Sequence, residues 1–239
     1  MWFWFAVIAL LCWSGSDLFS KIGCQDEKDK YSHLKMVTAV GIVMGLHAAY
    51  EIFIGGVEIN MDVILTYLPV SALYIVSMAV GYIGLRYIEL SISSPICNSS
   101  GAIVAVLTII TVGIGDEVPP VALVAVALVC IGVVGLGFTE ANEDEELRRA
   151  RQDESNRHYA KSWIAIFIPI VYCLLDALGT FADSRVLELI DEDSANVAYE
   201  LTFLVVGLVS LFYVTVVKKQ RLVAKQEAPK YTGAIFETI

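Results

Sequence analysis

The sequence predicts an all-α, polytopic membrane protein on an inverted five-plus-five helix plan, shortened to about seven transmembrane helices. Three observations carry this prediction. The first is composition: 57% of the 239 residues are hydrophobic, 18% are charged and mean hydropathy is +0.68. The charges are bunched into short stretches, so a soluble domain of this size would lack polar surface. The second is a series of apolar stretches, each about 20 residues long, the length needed to cross a bilayer core. The third is a self-similarity between the two ends of the chain.

The apolar stretches lie at 2–20, 36–54, 63–85, 94–113, 119–138, 162–182 and 196–217. None alternates as a membrane strand does, and lipid cannot satisfy an open backbone, so each is expected to be a helix. The first, MWFWFAVIALLC, lacks a basic leader and reads as a retained helix that serves as its own insertion signal. At the start of the fourth, Ser94 followed by Pro95 reads as an N-cap with proline in the first helical position. The last, 196–217, carries Tyr199 and Glu200 near its start.

Orientation follows from lysine and arginine. Lys21, Lys28, Lys30 and Lys35, then Arg86, then a group from Arg148 to Lys161, then a group from Lys218 to Lys230 all fall on one side. Only Arg185 falls on the other, so fifteen basic residues oppose one. The basic side is predicted to be cytoplasmic, with the N-terminus outside. Localisation in the plasma membrane as a multi-pass protein is the corresponding expectation. The net charge of −10 reflects acids in loops and says little about partners. Nucleic acid is not expected among them.

The five cysteines form no CxxC pair, and four lie in apolar runs, where a cysteine is most simply a small buried hydrophobe. The three histidines are scattered and no HExxH occurs. No metal, cofactor or enzymatic chemistry is therefore expected.

Shifting the chain by 159 positions lays Trp4 on Trp163, Ala6 on Ala165, Trp13 on Tyr172 and Asp17 on Asp176. A shift of 162 lays Val43-Met44-Gly45-Leu46 on Val205-Val206-Gly207-Leu208. Units of five helices, an odd number, enter the membrane from opposite sides, the plan of many secondary carriers. The expected organisation is a first unit over 1–138, a charged cytoplasmic linker over 139–161 and a partial second unit over 162–239. A shift of 164 sets the closing YTGAIFETI on the opening of the third helix. By this arithmetic the second unit lacks roughly 60 residues.

The run W-S-G-S before a lysine, YIGLRYIELSISSPI at 82–96, GDEVPP at 115–120 and CIGVVGLGF at 130–138 together resemble the EamA family of the drug/metabolite transporter superfamily. The likeness covers essentially the whole chain and is stronger in the first unit. Its motifs are degenerate and speak more to fold than to substrate. It implies two five-helix repeats and transport of a small organic solute. The family's recurring features would fall on Tyr82 and Tyr87, on Ser91, Ser93 and Ser94, on Pro95, on Asp116 with Glu117, and on Gly132, Gly135 and Gly137. The chain departs from the family in its outside N-terminus, since members commonly begin in the cytoplasm, and in the three helices it lacks.

Ionisable groups inside a membrane are costly and face a protein interior or a water path. Asp17, Asp176 and Glu200 are the acidic candidates. Two have a plainer reading: Asp17 is four residues from Lys21, the spacing of an ordinary helical pair, and Glu200 is near enough to the outer end to be solvated. His47, four residues before Glu51, is a proton relay or a hydrogen-bonded packing histidine. Trp13, Tyr74, Asn98 and Ser99 complete an expected substrate-binding set of aromatic and hydroxyl or amide groups.

The expected function is secondary transport of an amino-acid, drug or sugar-like solute by alternating access. The expected partners are that solute, the bilayer, and a homodimer mate or complementing chain. The alternatives are a truncated, non-transporting fragment, and a seven-helix receptor or membrane enzyme that only the helix count suggests.

Overall fold

The structure, a computed structural model, describes residues 2–26, 28–113, 120–142, 144, 146 and 162–238. Asp116, Glu117 and most of the predicted linker lie outside the described residues.

The described residues form α-helices and no strand: α1 (Trp2–Cys24), α2 (Ser32–Tyr50), α3 (Met61–Tyr87), α4 (Leu90–Cys97), α5 (Ser100–Val112), α6 (Pro120–Ala141), α7 (Ser162–Val186), α8 (Glu192–Phe212) and α9 (Ala224–Thr238). α2 and α8 each continue into a five-residue π-turn, Glu51–Gly55 and Tyr213–Val217. Six helical stretches are long and apolar enough to cross a membrane: Phe3–Cys24, Ser32–Gly55, Met61–Tyr87, Ile92–Thr111, Phe167–Val186 and Glu192–Val217. α6 contributes a shorter apolar stretch, Leu123–Leu136.

The apolar exterior fits this reading. Phe5, Leu10, Phe53, Ile110 and Val134 are all largely exposed. Such a surface is an aggregation liability in water but the ordinary face of a helix in lipid.

α2 is the central helix. Met36, Val40 and Met44 are buried at one-turn spacing, and Phe203 of α8 completes the cluster. α2 and α8 cross where Gly41 meets Gly207, and small residues there let the backbones approach closely. α1 lies along α9, and α3 lies along α7.

The helix ends explain themselves locally. Asn60 caps α3 by accepting from the Val63 amide at 2.9 Å, and Asp191 caps α8 by accepting from the Ser194 amide at 2.9 Å. The carboxyl end of α3 is closed by another helix: the Lys21 ammonium donates to the Leu85 and Ile88 carbonyls at 2.6 and 2.5 Å. Last-turn carbonyls that no helical amide reaches find their donor there.

α9 has low overall hydrophobicity yet is firmly docked on α1 and α2. Phe236 stacks on Phe19 with ring centres 5.7 Å apart. Its polar side enters an ion network in which Lys35 contacts Asp29 at 2.8 Å and Glu227 at 3.1 Å, and Lys230 contacts Glu227 at 2.8 Å.

Three expectations need correction. The fourth apolar segment does not begin at Ser94. Its first helix begins at Leu90 behind an extended Glu89, and Pro95 is inside it. The cause is the stripe Ile88, Ile92 and Ile96, which buries against Val133 and Ile168 and so draws the helical start forward. Pro95 then shortens the helix instead of opening it, because proline cannot donate to the preceding turn. α4 ends at Cys97, and α5 resumes after Asn98 and Ser99. Second, only Cys24 and Cys173 are buried, whereas Cys130 is exposed on the apolar face of α6. Third, Glu200 is not solvated: it is 7% exposed.

Candidate functional site

The break between α4 and α5 interrupts an apolar span with polar residues. The Asn98 amide donates to the Ser94 carbonyl at 2.9 Å and to its Oγ at 3.0 Å. Ser99 Oγ donates to the Ile96 carbonyl at 2.6 Å, and its hydroxyl also contacts Cys173 Sγ at 3.4 Å. Broken backbone at membrane depth is tolerated where protein groups or a cavity satisfy it.

Two carboxylates approach this break from different helices. Asp17 of α1 accepts from the Ser94 hydroxyl and, at 3.4 Å, from the Asn98 amide. Asp176 of α7 lies beside the hydroxyl of Ser100, the first residue of α5. One aspartate therefore holds the end of α4 and the other sits beside the start of α5. Both are half-buried.

A third carboxylate closes the group on the α9 side. Glu237 accepts from the Tyr82 hydroxyl at 2.9 Å and from Ser16 Oγ at 3.3 Å. Ser16 directly precedes Asp17, so α1 presents adjacent polar groups to α4 and α9. Sequence reasoning missed Glu237. The usable signal was an acid within the otherwise apolar or small YTGAIFETI run.

Tyrosines line the approach from α3 and α8. Tyr74 donates to Thr180 Oγ1 at 3.1 Å and packs edge-on against Tyr199 with ring centres 5.8 Å apart. Tyr67, two turns earlier, donates to Asp183 at 2.5 Å. α3 and α7 are thus joined by hydroxyl bonds along their seam.

Of the seven predicted residues, Asp17 and Asn98 meet directly, and Ser99 and Asp176 lie at the same break. Tyr74 is on the α3–α7 seam beside them. Trp13, one turn before Asp17, is 64% exposed and makes no polar contact with the group. Glu200 is elsewhere: its Oε1 is 2.8 Å from His47 Nδ1 in the α2–α8 seam. Lys21 directs its ammonium to the end of α3, as described above.

Beside the break, an apolar crevice of about 190 Å³ lies between α5, α6 and α7, lined by Ile96, Ile103, Val133, Ile170 and Leu174 with the Ser99–Cys173 contact in its wall. Among the described residues no three His, Cys, Asp or Glu side chains are grouped to hold a metal.

Comparison with family models, with curated proteins and with solved structures gives no match in any of the three.

Proposed function

We propose that the protein is a secondary transporter of a small organic solute that works by alternating access, with the solute bound at the α4–α5 break. The observation that carries this reading is the placement of two half-buried acids on the two sides of that break, Asp17 bonded to Ser94 and Asn98 and Asp176 beside Ser100. Discontinuous helices in an apolar span, with exposed backbone and acids around them, are where carriers place solute and coupling ions. A purely structural helix break would be cheaper to satisfy with serine and asparagine alone, because a half-buried carboxylate costs more to desolvate than a hydroxyl.

The inverted-repeat plan belongs to the same proposal, and three features support it. A shift of 162 residues lays the π-turn Glu51–Gly55 on the π-turn Tyr213–Val217. A shift of 164 lays the start of α9 next to the start of α3. The packing also has the exchange pattern of a two-fold axis: α1 against α9 answers α7 against α3, and α2 against α8 answers itself. In this plan Asp17 and Asp176 are equivalent residues of the two units, and the EamA-like resemblance describes the same arrangement. The lysine and arginine distribution supports an outside N-terminus, and the bilayer in this reading is the plasma membrane.

The test is flux in proteoliposomes containing the full chain, screened with alanine, lysine, glutamate, choline, glucose and uridine. The expected result is saturable exchange of at least one solute. Asp17→Asn and Asp176→Asn should each reduce it by about tenfold or more, the usual value of a charged hydrogen bond. Equal flux in both variants and the wild type overturns the site. Absence of exchange across the panel and across related solutes of each charge class overturns transport.

A further inference from the structure

Glu200 has a chemistry that the solute site does not use. It is 7% exposed, on α8 roughly 12 Å from the start of that helix at about 1.5 Å per residue. One oxygen, Oε1, meets His47 Nδ1 at 2.8 Å. The other, Oε2, is buried and has no hydrogen-bond partner. A buried carboxylate with an oxygen that lacks a donor is costly, and a proton on the carboxyl group removes the charge that makes it so.

The pair also has a route to the helix end. His47 is 43% exposed, and its second nitrogen, Nε2, is 3.7 Å from Glu51 Oε1, one turn further along. Glu51 opens the π-turn at the acidic end of the bundle, which also carries Glu58 and Asp191. Glu51 and His47 are thus partly exposed, at 32% and 43% of their side chains, and lead to Glu200 at 10%. Glu200 is the only buried one of the three.

We propose that Glu200 and His47 bind the proton that drives transport, with Glu51 as its entry group. A proton reaching Glu51 passes to His47 Nε2 as a new N–H bond forms there. The N–H bond at Nδ1 breaks, and its proton forms the O–H bond on Glu200 Oε1, the oxygen that Nδ1 faces. The imidazole is left neutral in the other tautomer and resets by the reverse transfer or by ring rotation. Charge and atoms balance with the proton as the only species gained.

The groups acting on Glu200 are His47 of α2 and Glu51 of the following turn. Tyr50 lies beside the His47 ring, 6.5 Å between centres. α3, also packed on α8, brings Tyr74 to Tyr199, next to Glu200 in sequence. This seam is the crossing of α2 and α8, the pair that in a two-fold plan answers itself. A proton here bears on the hinge between units and leaves the solute contacts at Asp17 and Asp176 intact. The inference therefore rests on the transport reading.

The experiment uses proteoliposomes of the full chain with the pH dye pyranine inside, and whichever panel solute the wild type exchanges most rapidly. The wild type should acidify or alkalinise the lumen when that solute is added outside. Glu200→Gln and His47→Gln should reduce this proton signal by about a hundredfold, the scale of a lost proton-transfer group, while keeping solute exchange within about twofold. Glu200→Asp should retain the signal. Retained exchange also shows that the variants are folded. Solute flux without proton flux in the wild type overturns the inference alone, and so does an unchanged proton signal in both variants. Absence of any solute flux in the wild type overturns the transport reading and the coupling with it.

Discussion

Gly41 and Gly207 meet backbone to backbone: a Cβ on Gly41 would stand 2.9 Å from Gly207 Cα and 2.6 Å from the Phe203 carbonyl oxygen, and one on Gly207 would stand 3.0 Å from Gly41 Cα. The obstacles are main-chain atoms, which cannot swing aside as a side chain can. The crossing of α2 and α8 therefore depends on the absence of two methyl groups.

Gly41→Ala should destabilise the bundle by about 1–3 kcal/mol, the usual cost of overpacking. Gly132 of α6 is the control, since a Cβ there meets nothing within 4 Å. Gly132→Ala should be neutral or stabilising by up to about 1 kcal/mol through helix propensity. Thermal unfolding in detergent, followed by intrinsic fluorescence, separates the two. Equal melting of both variants would remove the crossing from the account.

Lys21 is 6% exposed and holds the Leu85 and Ile88 carbonyls at the end of α3. Lys21→Met keeps most of the apolar stem and removes the donor. The expected loss is about 1–3 kcal/mol, the cost of leaving buried acceptors unsatisfied. Hydrogen exchange should report it first in the last turn of α3 and in α4, which begins two residues after Ile88.

The ion network under α9 predicts a reversal of the usual additivity. Lys35→Met leaves the Glu227 carboxylate buried with Lys230 alone, and removal of one partner from a buried pair costs about 3–5 kcal/mol. Lys35→Met with Glu227→Leu removes both charges and should be more stable than Lys35→Met by itself. Melting of the two single variants and the double variant gives the coupling, which is refuted by simple addition of the single losses.

Asp191 provides a pH-dependent test outside the spans. Hydrogen bonds from Ser194 hold its carboxyl below the ordinary carboxylate range. A folded value below the unfolded one means that the cap stabilises α8 fully above the unfolded aspartate value, about 3.9. The contribution is lost as pH falls through the lower folded value. Asp191→Ala should thus melt earlier than wild type at neutral pH, with the difference shrinking on acidification. Asp191→Asn, which still accepts a hydrogen bond, should remain close to wild type throughout.

Much of the helical plan was legible because length and apolar composition depend only on local sequence. The predicted apolar segments fall on helices, but six rather than seven described stretches are long and apolar enough to cross a membrane, the fourth segment is broken after Cys97, and boundaries moved by a few residues, as at Ile88, whose stripe starts α4 early. The break after Cys97 was not legible. Ser94-Pro95 is a sound helix start by local rules, and only the packing of Ile92 and Ile96 on other helices overrides it. The site was legible in part. Asp17 and Asp176 stand out as acids in apolar surroundings, and the chain's self-similarity pairs them. That both lie at one break is a matter of tertiary packing. Likewise His47 and Glu200 are 153 positions apart, and nothing in either neighbourhood announces the other.

The central claim, alternating access to the break, is tested most directly at Asn98, which is exposed and reaches toward Asp17. Asn98→Cys is placed in a chain whose five native cysteines are replaced, then labelled with a membrane-impermeant maleimide in right-side-out and in inverted vesicles. The account predicts labelling from both faces, with the balance between them shifted by transported solute. Labelling from one face only, unchanged by any solute that the protein exchanges, would contradict it.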